Sequence, residues 1–261
     1  MATLAGSGLP RSVDEQAERK FFMVMAIVIT VVIAAGFSTQ LAMGRSTFAV
    51  PLPYHLHAFV FFGWVALYLA QNVLIAGGNV RLHRTLGWLA VVWTPVMVAL
   101  GFTIMIVALR RAGGPFFFAQ NEFLVANSLL LVLFAALVFC ALKVRRYSGW
   151  HRRLMLVAMA LLSDPGIGRL LPMPLLIPHA WRIGLLVAMV FPLAGMIRDK
   201  LRRGAVHPAY WWGLGAVLVT QIVADIIAYS AFGISLTEQL VAGTPGAERP
   251  MEAFLPPGFA M

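Results

Sequence analysis

The amino-acid sequence predicts an all-α fold, a polytopic transmembrane bundle of about seven helices, and three observations predict it. Hydrophobic residues make up 61% of the 261 and charged ones only 11%, against roughly a quarter charged in soluble domains. Uncharged apolar runs recur along the chain, most of them near the ~20 residues that cross a hydrocarbon core. Lys and Arg fall mainly in the short connections between those runs, where orientation and lipid headgroups account for a net charge of +10. The partner this implies is the lipid bilayer, with other membrane subunits an open possibility; no nucleic-acid partner is expected.

Residues 1–20 have no apolar core and read as a solvated cytoplasmic tail, not a cleavable signal peptide. Residues 21–233 read as one bundle domain, with spans at Phe21–Met43, Tyr54–Ala76, Thr85–Leu109, Glu122–Leu142, His151–Asp164 with a continuation, Ala180–Ile197 and Ala209–Phe232. Connections are short, so consecutive helices are antiparallel neighbours and no second domain fits. The fifth span is irregular: SDPGIGRLLPMPLLIP follows an apolar run, and its prolines and glycines predict a helix broken near Asp164-Pro165-Gly166. Pro95 and Pro192 predict milder kinks in the third and sixth spans. Residues 234–261, rich in Gly and Pro, read as a loosely ordered extracytoplasmic tail.

Orientation follows from charge. Of the 20 Lys and Arg, only Arg45, Arg110, Arg111, Arg169, Arg182 and Arg249 fall on the face opposite the N-terminus, so the positive-inside rule places the N-terminus in the cytoplasm. An odd number of spans then puts the C-terminus outside. The lone Cys140, inside a span, excludes an intrachain disulfide and any Cys-rich metal or iron–sulfur centre.

Ionisable side chains inside spans cost about 2.5–3.5 kcal/mol on insertion scales and mark functional candidates. Glu122, Asp164 and Asp225 qualify, and the topology puts all three in the extracytoplasmic half. His55 and His57 open the second span on that side, His179 and Arg169 flank the irregular segment, and Gln221 shares a helix face with Asp225. The expected site is a pocket in which His55, His57, His179, Glu122 and Asp164 hold a cofactor while Arg169, Asp225 and Gln221 line it. Imidazole and carboxylate suit haem b or a transition metal in a redox role. Two alternatives stand beside it: a proton-coupled small-molecule transporter using the same carboxylates, and an accessory subunit without chemistry, in which Asp164 pairs with Arg169 and Glu122 caps its helix. His83, His151 and His207 each open a helix on the N-terminal face, where Trp88, Trp150, Trp211 and Trp212 form an interfacial belt. Among these, His83 and His151 make a second cofactor position, shallower than the first.

The pattern H-x-H-x₆-W-x₆-Q over His55, His57, Trp64 and Gln71, with L-H-R-x-L-G-W at Leu82–Trp88, W-H-R-R-L-M at Trp150–Met155 and G-x-G-R at Gly166–Arg169, resembles a widespread family of bacterial multi-pass membrane proteins without an agreed activity. The resemblance runs roughly from Phe21 to Phe232 and implies a multi-pass bundle in a bacterial inner membrane. A more distant similarity of layout, to cytochrome-b-type bundles with histidines near opposite faces, fails at the fourth span, where Asn121 and Glu122 stand in the place of a partner histidine.

Overall fold

The computed structural model describes residues 10–259, and among them the chain is helical with no strand. Helix α1 is Pro10–Ala42 and α2 is Leu52–Ala76, which follows Pro51 and has Pro53 in its first turn, where the missing N–H is not needed. The short α3, Val80–Gly87, is capped by the Asn79 side chain accepting from the Leu82 N–H, and runs through Trp88 into α4, Leu89–Ala112. Gly113 and Gly114, at φ of 69° and 75°, stop α4. Helix α5 is Gln120–Lys143 and α6 is Ser148–Leu170; α7, Ala180–Ala188, and α8, Val190–Arg203, make one crossing. The joint between them sits where Pro192 removes the N–H that the Ala188 carbonyl would receive. Helix α9 is Pro208–Ala228, and α10, Ala231–Val241, turns back over α4, α5 and α9.

Six segments are long and apolar enough to cross a membrane: Glu15–Ala42, Leu52–Ala76, Val80–Ala112, Gln120–Lys143, Ala180–Arg203 and Pro208–Ala228. The seventh, α6, is of similar length but carries Arg152, Arg153, Asp164 and Arg169, and the bundle is built around it. It packs against α1, α5, α7, α8 and α9. Its middle, Leu156 to Ala160, is fully buried with Trp64, Phe134 and Tyr210, and the Trp64 indole N–H points at the Met159 sulfur at 3.2 Å. Against α1 the packing is backbone to backbone: a Cβ on Gly36 would strike the Gly166 carbonyl, and one on Gly166 would lie 2.7 Å from the Ile33 Cα.

Three expectations need correction. The fifth span is not broken at Asp164-Pro165-Gly166; α6 continues through Pro165 to Leu170 and turns extended at Leu171, before Pro172. Gly166 is a contact for α1, not a hinge, and the Arg169 guanidinium donates to the Pro165 carbonyl at 2.7 Å within the last turn. Residues 15–20 are not a solvated tail, because α1, which begins at Pro10, runs through them and carries Glu18 into the interior at 1% exposure; residues 1–9 lie outside those described. The C-terminal segment is ordered too. After α10 a 3₁₀ turn, Pro245–Glu248, packs on α4, and the chain to Phe259 follows the α4–α5 connection. The Arg249 guanidinium donates to the carbonyls of Gly113, Gly114, Pro115 and Phe118; the Gln120 amide donates to those of Gly246, Arg249 and Pro250; and the Gln120 and Phe254 backbone N–H groups pair with Met251 and Phe116. Burial lowers the Arg249 guanidinium to about 10, which leaves it charged at neutral pH.

Candidate functional site

Helix starts and ends converge on the C-terminal face. Glu122 lies in the first turn of α5, Arg182 in the first turn of α7, and Gln221 and Asp225 one turn apart near the end of α9. Arg182 Nη1 reaches Glu122 Oε1 at 3.2 Å, and its Nη2 and Nε reach the two Asp225 oxygens at 3.0 and 3.3 Å. Gln221 donates to Asp225 at 2.9 Å and accepts from the Trp181 indole at 3.1 Å. The Tyr229 hydroxyl adjoins Glu122 and Arg182, and burial together with the Glu122 charge holds its pKa above the usual range, so it remains a donor. Glu122 is 2% exposed, whereas Arg182 and Asp225 keep 36% and 30% of their side chains open, so the cluster is shut on one side and open on the other.

Of the expected pocket, Glu122, Asp225 and Gln221 come together; the histidines do not join them. His55 and His179 are exposed. His57 is half-buried against Phe61, ring centres 4.0 Å apart, with its Nδ1 buried and without a partner. Asp164 does not pair with Arg169. Arg169 stacks on Phe37 at 3.9 Å, while Asp164 packs toward α7: a Cβ on Gly184 would lie 2.7 Å from its Oδ1, an oxygen that is buried and has no donor. Gly184 stands two residues beyond Arg182, so Asp164 and the ion cluster flank the same short helix.

A haem or metal ion fits this arrangement poorly. The imidazoles are at the surface or apart, Arg182 occupies the position a cation would take between Glu122 and Asp225, and among the described residues no group of three or more His, Cys, Asp or Glu is placed to hold a metal. On the N-terminal face His83 and His151 do approach, ring centres 6.3 Å apart, with His151 Nδ1 2.9 Å from the Ala141 carbonyl oxygen. Two imidazoles, with no third His, Cys, Asp or Glu beside them, do not close a metal-ion shell.

Residue reading missed a second cluster on that face. Arg153, 0% exposed, donates to Glu18 Oε1 at 2.8 Å and to both Asp199 oxygens at 2.6 and 2.8 Å; Arg152 and Arg203 meet Glu18 Oε2, and the His207 backbone N–H donates to Asp199. The available signal was the carboxylates one turn outside the apolar limits drawn for the first and sixth spans.

The apolar helices, packed around a polar-ended central one, make this an integral, multi-pass membrane protein. No family model, curated protein or solved structure matches the chain.

Proposed function

We propose that this protein is a proton-coupled carrier of small molecules in a bacterial inner membrane, N-terminus cytoplasmic and C-terminus outside, with Glu122, Arg182, Asp225 and the neighbouring Asp164 as its working groups. One observation carries the reading: two carboxylates share a single guanidinium in a half-open cluster where the ends of apolar helices meet. That leaves one negative charge in excess, in surroundings where an uncompensated charge is costly, so the cluster favours taking up a proton or a cationic group. Asp164, with a buried oxygen lacking a donor, is a second place for a proton.

The test is a reconstituted system. Purified protein in liposomes with an imposed pH gradient is challenged with a panel of small organic cations, and dissipation of the gradient is followed with a pH-sensitive dye. Gradient-dependent exchange lost in Glu122→Gln and Asp225→Asn supports the carrier; exchange that is absent, or indifferent to both, leaves the accessory-subunit reading. Orientation is tested separately, since a reporter after Met261 is expected active outside the cytoplasm and one after Tyr147 inside.

A further inference from the structure

A groove of about 320 Å³ lies between α4, α5, α9 and α10, lined by Phe102, Met105, Leu124, Ser128, Ile227 and Leu240 among others. Ser128 alone among its lining residues is polar, and its hydroxyl is already used on the Leu124 carbonyl at 2.6 Å. The groove therefore offers no polar contact to a soluble ligand, and the bilayer around it supplies chains of matching character. Its rim on the C-terminal face is different. Arg110 donates to the carbonyl of groove-lining Leu240 at 3.3 Å and is exposed, while the next residue, Arg111, lies over the Tyr54 ring on the α2 side; among the described residues neither pairs with a carboxylate. From Phe102 to Arg110 the helical rise covers about 12 Å, less than half of a ~30 Å hydrocarbon core. An apolar slot in one leaflet, ending at an exposed guanidinium group, is the complement of one phospholipid: acyl chain below, phosphate above.

We propose that this groove is a binding site for an anionic phospholipid, with an acyl chain under α10 and the headgroup phosphate on Arg110. The occupant is a bilayer lipid and not free phosphate, because most of the contact area is the apolar slot. The inference is independent of the carrier reading.

The full chain is delipidated in mild detergent and titrated with phosphatidylglycerol or phosphatidylcholine of identical chains, counting bound lipids by native mass spectrometry. One phosphatidylglycerol is expected to bind about ten-fold more tightly than phosphatidylcholine. Arg110→Gln should erase that preference, Arg110→Lys should retain part of it, and Ser128→Phe, which fills the slot, should lose both lipids. Equal binding of the two lipids by the wild type, an unchanged preference in the glutamine variant, or equal protection by inorganic phosphate overturns the proposal. So does a second copy of the chain displacing lipid from the site. The exposed arginine variants keep the test open if Ser128→Phe fails to fold.

Discussion

The two ends of α6 solve the same problem in opposite ways. At the N-terminal face Arg153 brings a full positive charge into the interior, and all four carboxylate oxygens of Glu18 and Asp199 receive a donor. At the other face Glu122 Oε1 meets Arg182 only as an ion pair, without an aligned hydrogen bond, and Asp164 Oδ1 has no donor. Three cations surround two carboxylates in the first cluster, and one cation serves two in the second. Both are ionic, yet only the saturated one behaves as a clamp: it ties α1, α6 and α8 together and leaves its carboxylates nothing further to bind. The undersaturated end is half-open, with one Glu122 oxygen and one Asp164 oxygen lacking a hydrogen-bond donor.

The largest expected effect breaks the clamp. Arg153→Met removes the shared partner of Glu18 and Asp199, leaving buried Asp199 without its ion pair and Glu18 held only through Oε2 by Arg152 and Arg203, which costs about 3–5 kcal/mol for a buried pair. Unfolding in mild detergent measures it, and adding Glu18→Leu and Asp199→Leu to Arg153→Met should recover much of the loss. A small loss in the single variant would mean that the cluster is solvated and the contrast between the two ends is false.

Arg182→Gln comes next in stability and first in function. Arg182 is open on one side, so the structural cost should fall to about 1–2 kcal/mol, while exchange across liposomes should be abolished because Glu122 and Asp225 lose the one cation they share. Pairing it with Glu122→Gln should restore stability without exchange. Exchange at wild-type rates in Arg182→Gln would remove this cluster from the mechanism.

The fold class was legible because apolar runs of membrane length are a strong, local signal, and the limits of most spans agree with the helices to within a turn or two. Three carboxylates were also legible, each being out of place in an apolar run. Partners were harder to see. Arg182 reads as one more interfacial arginine until α7 is set beside α9, and Glu18 lies in a polar stretch whose helix is fixed by guanidinium groups more than a hundred residues away in sequence. Prolines misled in a specific way: Pro165 would break an isolated helix, but Gly166 packs backbone to backbone on α1 and that turn stays helical, and the chain leaves the helix only at Leu171, before Pro172. Histidines misled because imidazoles at membrane interfaces look, in sequence, like imidazoles at a pocket.

The C-terminal segment supplies a smaller test of the open end. Arg249→Gln removes the donor that gathers four carbonyls of the α4–α5 connection, and about 1 kcal/mol is the expected loss. The more sensitive readout is limited proteolysis, in which the wild type should resist cleavage between Val241 and Phe259 and the variant should not. Equal cleavage of both would show the segment to be loosely held and the end of the bundle more open than described.

The smallest effect is the most discriminating about Asp164. If Asp164 and Arg169 were partners, removing either alone would strand the other, and the double variant would be more stable than the two single losses imply. They have separate neighbours instead: Arg169 stacks on Phe37 and donates to the Pro165 carbonyl, whereas Asp164 faces Gly184. Arg169→Gln should therefore lose about 0.5–2 kcal/mol with its cation–π contact, and Asp164→Asn should be close to neutral, because an amide avoids the cost of burying a carboxylate without a donor. In Asp164→Asn with Arg169→Gln the two losses should add within about 0.3–0.5 kcal/mol. Melting curves of the four proteins in one detergent decide it. A coupling well above that margin would restore the pair and return Asp164 to a structural role, whereas additivity, joined to lost proton exchange in Asp164→Asn alone, leaves a carboxyl group the fold does not need.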